Sequence, residues 1–423
     1  MLDLRRIRED PAPASSALAR RGAAEALDEV LKTDARRREL LPRVEEGRAR
    51  RNRVSDEIAE LKRRGEDAEE LIGEMRELGT ALKKLEDELA EVERTRDELA
   101  ATLPNLPDPE APEGQTEEDA VVIREVGEPA AFDFEIRDHL DLGLANGWIE
   151  MEKAGETSGA RFAYLLGDLV VIQLALLRVA LDLLRGEGFM PVVPPVLVRE
   201  RPLFGTGFFP TEREMIYEVP RDELFLVGTS EVSLAALHAG EILPADELPR
   251  RYAGWSTCFR REAGAAGRDT RGIFRVHQFD KLEMFSFVHP EDSKPEHERL
   301  LELQERILQA LELPYRVVDI PAGELGAAAA RKFDCEAWIP SQGRYREVTS
   351  CSNATDYQAR RLGCRYRPEP DAQPVHVHTL NGTAVAVGRT LIALIENGQR
   401  ADGSVALPQA LRDAGAPARI GGG

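Results

Sequence analysis

Between Phe259 and Phe285 the chain reads FRREAGAAGRDTRGIFRVHQFDKLEMF, arginines and glutamates set among glycines and closed by an aromatic-rich run. Residues of these types suit two kinds of chemistry. In one, Arg260 and Glu262 form a cross-strand ion pair on a surface hairpin. In the other, the pair faces a nucleotide. Arg260, just inside a first strand, makes paired hydrogen bonds to a phosphate, and Glu262 accepts from an exocyclic amine. Phe274 offers a flat face to a base. Glu283, deeper on the second strand, can hold an ammonium group. Gly264, Gly267 and Gly272 let the connecting loop approach a ligand closely.

Three further segments suit the same pocket. GTSE (228–231) sets a hydroxyl and a carboxylate at a strand end ahead of an apolar helical run. Thr229 and Glu231 can equally cap that helix. REVTSCSN (346–353) supplies Glu347 and Ser350, oxygen ligands suited to a hard cation such as Mg²⁺. NGTAVAVGRTLIALIEN near the end reads as strand, glycine turn and helix, with Arg389 in the first helical turn. There it can meet a polyphosphate beside free backbone donors, or simply face solvent. Other chemistries lack their signatures. The chain has no GxxxxGK[ST], no strand-to-helix GxGxxG, no HExxH and no GxSxG. His376 and His378 in HVH would share one face of a strand, but without a third ligand close by they read as ordinary strand histidines.

The elements that must position these residues fall into two parts. From Leu71 to Val92, apolar residues at 71, 75, 78, 82, 85, 89 and 92 alternate steps of four and three, an a/d seam. Val44, Val54, Ile58 and Leu61 continue it upstream, with gaps at Gly47 and Arg51. RRGED around Gly65 is a tight reversal. The prediction is an antiparallel coiled coil of about 35 residues per helix, roughly 50 Å long, with a kink or restart at Pro42. Its first helix is basic, notably at Arg48, Arg50, Arg51 and Arg53, and its second acidic. That is either a solvated charged surface or a stripe that grips a phosphate backbone.

Pro104–Asp119 reads as a linker. Residues 120–423 then form a second domain in which FRVHQFDKLEMFSFV, YREVTSCSN, VHVHTLNG and TAVAVG read as strands of an antiparallel sheet. The composition, 42% hydrophobic and 31% charged over 423 residues, is that of an ordinary globular chain. The net charge of −20 argues against nucleic acid unless the basic residues cluster. The most apolar run, 166–184, carries Asp168, Gln173, Arg178 and Asp182 and reads as a buried helix rather than a membrane span. A charged N-terminus and four cysteines without a CxxC pair suggest a reduced, cytoplasmic protein without structural zinc.

Taken in order, these segments resemble class II aminoacyl-tRNA synthetases. GEGFMPVVPPVLV (186–198) resembles motif 1, the dimer element; 259–285 resembles motif 2 and 382–397 motif 3. With the N-terminal arm (1–103, tip near 64–67), TGFFP (206–210), GTSE and HTLNGT, nearly the whole chain resembles bacterial-type seryl-tRNA synthetases. The resemblance implies an α+β fold: an antiparallel sheet flanked by helices, dimeric, with a coiled-coil arm. It implies that Arg260 binds the α-phosphate, with Arg261 beside it, and that Glu262 and the Val276 backbone read adenine. Phe274 would stack on the base and Arg389 would take the γ-phosphate. Glu347 and Ser350 would hold Mg²⁺, with Val348 and Thr349 completing the ATP contact. Thr229, Ser230, Glu231, Arg260, Glu283 and Thr383 would surround serine, with Arg260, Glu283 and Arg389 carrying the chemistry. The implied acceptors are tRNA(Ser) and, with it, tRNA(Sec). Two alternatives stand beside this reading: a synthetase-like ligase acting on a carrier protein, and an inactive coiled-coil scaffold.

Overall fold

The computed structural model describes residues 1–263, 267, 269 and 271–422. The chain divides into two compact units, Leu2–Leu103 and Pro104–Gly423, the latter together with Met1.

In the first unit two short helices precede α1 (Ala24–Arg64) and α2 (Glu69–Thr102), which lie antiparallel. The seam between them is built on Leu40, Val44, Leu82 and Leu89, with Leu85 and Val92 partly buried against it. The gap at Gly47 has a packing reason: a Cβ there would come 2.9 Å from Leu82 Cδ1, so the glycine makes the hole for that knob. The reversal is a left-handed cap at Gly65 (φ 72°), with the Glu66 N–H donating to the Leu61 carbonyl at 3.0 Å. Lys62, Arg63 and Arg64 crowd the last turn of α1 while Glu69 and Glu70 open α2, both favourable to the helix dipoles. The helix does not restart at Pro42: α1 runs through it as one 41-residue helix, about 60 Å long. Pro42 lies on the solvent face, where the Arg38 carbonyl that loses its N–H partner is open to solvent, while buried Leu40 and Val44 hold the turn on the seam.

The second unit is organised by an eight-stranded sheet. Its strands are β1 (Val121–Val126), β2 (Met190–Val192), β3 (Arg250–Phe259), β4 (Gln278–Val288), β5 (Tyr315–Asp319), β6 (Arg331–Ile339), β7 (Arg344–Thr355) and β8 (His378–Ala386). They lie in the order β1-β5-β6-β7-β8-β4-β3-β2, antiparallel except for the β2–β3 pair. Around it stand α3 (His139–Ala145), α4 (Asp168–Gly186), α5 (Glu231–Ala236), α6 (Ser293–Ala310) and α7 (Val387–Gly398). Leu282, Met284 and Val288 of β4 join Phe333, Cys335, Ala337 and Ile339 of β6 and the apolar faces of α4, α6 and α7 in one core. On the opposite face, Lys281 of β4 and Lys332, Asp334, Glu336 and Trp338 of β6 line a cleft, while Phe285 and Phe287 of β4 join a second apolar cluster.

Three expectations need adjustment. The 274–288 run is a strand only from Gln278, which leaves Phe274 on the connection. His376 and His378 lie in different strands, separated by Val377, not on one face of one. Stretch 104–119 is bound along the second unit: the Asn105 N–H donates to the Ala327 carbonyl at 2.8 Å, and Glu110 pairs with Lys294 and Arg331. Among the described residues no helix is long and apolar enough to cross a membrane. The 168–186 helix buries one face, through Leu169, Ile172, Leu176 and Leu184, and exposes Val170, Val171 and Leu174 on the other.

Candidate active site

The cleft's deeper end is a buried carboxylate pocket. Period-two alternation on β4 turns Lys281 and Glu283 to one face. Their charges meet at 2.5 Å with both side chains almost fully buried. A bulge opposite Leu282 and Glu283 brings Thr383 of β8 level with Glu283, and the Thr383 hydroxyl donates to Glu283 Oε2 at 3.2 Å. The Asn381 amide bridges Glu283 (3.1 Å) and Glu231 (3.3 Å). Glu231 also accepts from the Gln358 amide at 2.8 Å. Burial, then the charge of Glu283, pushes the Glu231 carboxyl up to about 7. The Thr229 hydroxyl accepts from the Glu231 N–H at 3.2 Å, so it serves the helix start and the pocket rim together. This arrangement of donors and acceptors fits a small molecule that carries an amine and a hydroxyl.

The shallower end suits a nucleotide. A cleft of about 140 Å³ is lined by Arg260, Glu262, Phe274, Val276, Glu347, Ser350, Thr383 and Arg389. It adjoins a groove of about 1210 Å³ over β6 and β7. Arg260 follows the last residue of β3 rather than lying inside it, and its Nε–H donates to the Gly228 carbonyl at 3.1 Å. Its guanidinium is thereby aimed and leaves further donors for an anion. Glu262 sits at φ 52°, a left-handed conformation costly for a non-glycine residue, and pairs with Arg275 at 2.9 Å. The Phe274 ring has Arg346 4.0 Å and Arg389 4.9 Å from its centre. Arg389 is in the first turn of α7, as expected, and reaches Glu347 at 3.2 Å. Burial opposes ionisation of Glu347, but the charges of Arg389 and Lys332 outweigh it and hold the carboxyl well below the usual range.

Glu347 and Ser350 are three apart and would face opposite sides of a regular strand. The register between β6 and β7 pairs Glu336 with Glu347 and Cys335 with Thr349, leaving Val348 as an extra, bulged residue. The bulge turns Glu347 and Ser350 to the same side. It also sends Thr349 to the core face beside Cys335, which removes that hydroxyl from the expected ATP contact. Across the ladder from Ser350, Asp334 leaves Oδ1 buried and without a hydrogen-bond partner. A carboxylate, a hydroxyl and an unsatisfied oxygen on one face fit a hard cation that takes its remaining ligands from phosphates and water. Among the described residues no group of three or more His, Cys, Asp or Glu could by itself hold a metal.

Two other expected site residues turn their side chains away from the cleft. Ser230 is fully buried and its hydroxyl donates to the Gly254 carbonyl at 3.1 Å, a tie from the residue ahead of α5 to β3. Arg261 lies over Tyr217 at 5.7 Å and does not line the cleft. Gly264 lies outside the described residues; Gly267 (φ 80°) and Gly272 (φ 71°) both need the left-handed backbone. The sequence reading missed Lys281, Asn381, Arg346 and Gln358. Lys281 had a visible signal, two residues before Glu283 in the same strand. Asn381, two residues before Thr383, and Arg346, next to Glu347, had the same kind of signal, whereas Gln358 comes from a segment that carried none.

In the arm, Arg48 pairs with Glu86 at 2.7 Å, and Arg50 with Glu74; Arg36 and Arg37 likewise meet Glu88 and Glu93. Arg51 and Arg53 are exposed and make no ion pair among the described residues. The basic stripe is thus half engaged by the acidic helix and half open to solvent.

Comparison with known proteins agrees with this geometry. Residues 1–107 match the family described as the seryl-tRNA synthetase N-terminal domain, and residues 215–398 the tRNA synthetase class II core domain (G, H, P, S and T). The chain is similar to the serine–tRNA ligase of Acidothermus cellulolyticus, 50% identical over 98% of this chain and 97% of that one. It is also similar to the serine–tRNA ligase of Thermobifida fusca, 49% identical over 97% of each. Its structure is similar to that of the seryl-tRNA synthetase from Pyrococcus horikoshii complexed with ATP, with a TM-score of 0.92, 41% identity and 99% of both chains covered.

Proposed function

This chain belongs to the seryl-tRNA synthetase family of class II aminoacyl-tRNA synthetases, and from that premise we propose how its own residues join serine to tRNA. The observation that carries the proposal is the continuity of the buried carboxylate pocket with the arginine-lined cleft: Lys281 and Thr383 line the cleft and both bond to Glu283. Glu283, with Thr383 and Asn381, receives serine's amine and hydroxyl, while Glu231 and Thr229 close the rim. Serine's ammonium would take over the place of the Lys281 ammonium on Glu283. Buried partners for the hydroxyl make the site reject alanine, which would leave them unpaired.

ATP lies along the arginine-lined end, with Arg260 at the α-phosphate and Glu262 and the Val276 backbone at the adenine edge. At 4.9 Å, Arg389 covers one face of Phe274, so the base would take the place of a guanidinium on that ring while Arg389 turns to the γ-phosphate. Serine's carboxylate oxygen attacks the α-phosphorus in line; the bond to the bridging oxygen breaks and pyrophosphate leaves. A terminal ribose hydroxyl of the tRNA then attacks the seryl carbonyl, loses its proton, and AMP leaves. The side chains provide position and positive charge, which suffices for transfer at phosphorus, and no side-chain nucleophile is involved. Glu347 and Ser350, backed by Asp334, would hold Mg²⁺, which when bound neutralises charge between the phosphates.

The exposed arginines Arg51 and Arg53, with Arg48 and Arg50 released from their glutamates, are the proposed contact to the backbone of tRNA(Ser), read by shape. The same contact would admit tRNA(Sec). Subunits would pair through motif 1. The exposed apolar residues Val170, Val171 and Leu174 of α4 and Met190 of β2 support a homodimer, since so much apolar surface on one face calls for a cover. Four buried thiols that form no disulfide suit a reducing, cytoplasmic setting. The carrier-protein alternative is disfavoured because the match extends over the arm.

The test is amino acid-dependent ATP–pyrophosphate exchange without tRNA, with serine, alanine, threonine and glycine in parallel. Serine alone should support exchange. Glu283→Gln, which keeps the shape of the pocket and removes its charge, should lower serine-dependent exchange by about a hundredfold or more with an unchanged circular dichroism spectrum. Exchange with alanine at the serine rate, or near-normal activity in that variant, would refute the pocket assignment.

A further inference from the structure

Phe274 stands outside the β-ladder, so something other than the sheet must hold it. The segment just before it is held by α3 and α7. His139, the first residue of α3, is buried, and its ring lies between two partners. The Ile273 N–H points at Nε2 from 3.2 Å, which makes Nε2 the acceptor and puts the ring proton on Nδ1. That Nδ1 lies 3.0 Å from Glu396 Oε1, and the same oxygen also accepts the His139 backbone N–H at 3.0 Å. Glu396 is itself fully buried on α7, two turns beyond Arg389, and its other oxygen accepts the Ser341 N–H at 3.0 Å. On the near side, Arg271 pairs with Asp138 at 2.7 Å and Asp141 at 2.5 Å. Between them, Gly272 lets the ring sit directly on the backbone, since a Cβ there would fall 2.0 Å from His139 Nε2. Residues 271, 272 and 273 are thus each fixed to the start of α3, and His139 ties them to the helix that carries Arg389.

We propose that His139, held by Glu396, is a positioning residue for ATP: it fixes the Ile273 backbone and so sets the Phe274 ring opposite Arg389. It touches neither substrate. The inference rests on the reading of Phe274 as the platform for the base. A purely structural histidine would affect serine and ATP alike, or stability alone; a clamp on the platform acts on ATP.

The experiment measures ATP–pyrophosphate exchange while ATP and serine are varied separately, with full-length His139→Ala, His139→Gln, Gly272→Ala and Phe274→Ala. Loss of the bond to Ile273 leaves a buried N–H unpaired, so His139→Ala should raise the KM for ATP about tenfold, with the KM for serine within about twofold of the parent. His139→Gln, whose amide oxygen can still accept from Ile273, should stay within about threefold for ATP. Gly272→Ala keeps the histidine but displaces its ring, and should reproduce the His139→Ala split. The double variant His139→Ala/Gly272→Ala should be no worse than Gly272→Ala, because both changes break one contact and the backbone strain at residue 272 is common to the two. If His139→Ala does not fold, Gly272→Ala decides by the same split. A folded variant with an unchanged KM for ATP, or with both KM values rising together, overturns the clamp. Phe274→Ala separates the two readings: if it raises the KM for ATP and the clamp variants do not, only the clamp fails. If it too leaves that KM unchanged, the platform reading fails with it.

Discussion

Glu231 shows how much a single carboxyl can depend on its surroundings. It accepts from the neutral amides of Gln358 and Asn381, and Asn381 joins it to Glu283. Burial, then repulsion from Glu283, raises its pKa from 4.5 to about 7. Between those two values the folded chain keeps a proton that the unfolded chain has lost, so the stability due to this proton is full below pH 4.5 and is lost as pH rises through about 7. Over that window the cost reaches up to about 3 kcal/mol. Glu231→Gln should remove this slope: its melting temperature, measured without ligands, should fall less from pH 5 to 7.5 than that of the parent. An identical slope in both proteins would mean that Glu231 does not carry the proton. Lys281 teaches the opposite lesson. Its position two residues before Glu283 was legible, but the 2.5 Å pairing that makes it the pocket's internal cation was not.

At the scale of the element, α1 and β7 each contain a residue that regular structure would exclude. Pro42 persists in α1 because its missing bond falls on the solvent face while Leu40 and Val44 keep the helix on its seam. Pro42→Ala restores the N–H donor to the Arg38 carbonyl and should stabilise this part of the arm by about 2 kcal/mol. Amide exchange around 39–46 in the full chain should slow accordingly, and unchanged exchange would show that the proline costs the helix nothing. In β7 the extra Val348 has a chemical consequence. Without the bulge, the strand could present Glu347 or Ser350 to the cleft but not both. The four-residue run EVTS could be picked out in the sequence as a group. Which of its members face the cleft depended on one pairing offset with β6.

At the scale of the molecule, a net charge of −20 is compatible with the proposed RNA contact because α1 carries a local run of arginines, Arg48, Arg50, Arg51 and Arg53, within six residues. Several of them are paired with glutamates of the facing helix, which lowers the net attraction at rest and leaves Arg51 and Arg53 open. Removing Ala35–Leu99 should leave serine-dependent exchange within about twofold of the parent while the KM for tRNA in charging rises by about a hundredfold or more. Charging that proceeds normally without the arm would assign it another role. Rising salt should weaken tRNA binding in the intact protein more steeply than in the truncated one, since each phosphate contact releases counterions.

The sequence alone determined what is local or periodic. The heptad seam, the reversal at Gly65, the helix start that carries Arg389 and the two-residue spacing of Lys281 and Glu283 follow from backbone geometry within a few residues. The order of the motif-like segments sufficed for the family. Tertiary structure decided everything that required distant segments to meet. It decided that Asn381 and Gln358 reach Glu231, that Val348 bulges so Thr349 turns inward, that Ser230 is spent on the Gly254 carbonyl, and that His139 rests on Gly272. The reason is physical. Helical and strand periodicity are written into the chain by steric limits on each residue, whereas strand register and side-chain contact are settled only when the core closes and every buried donor must find its acceptor.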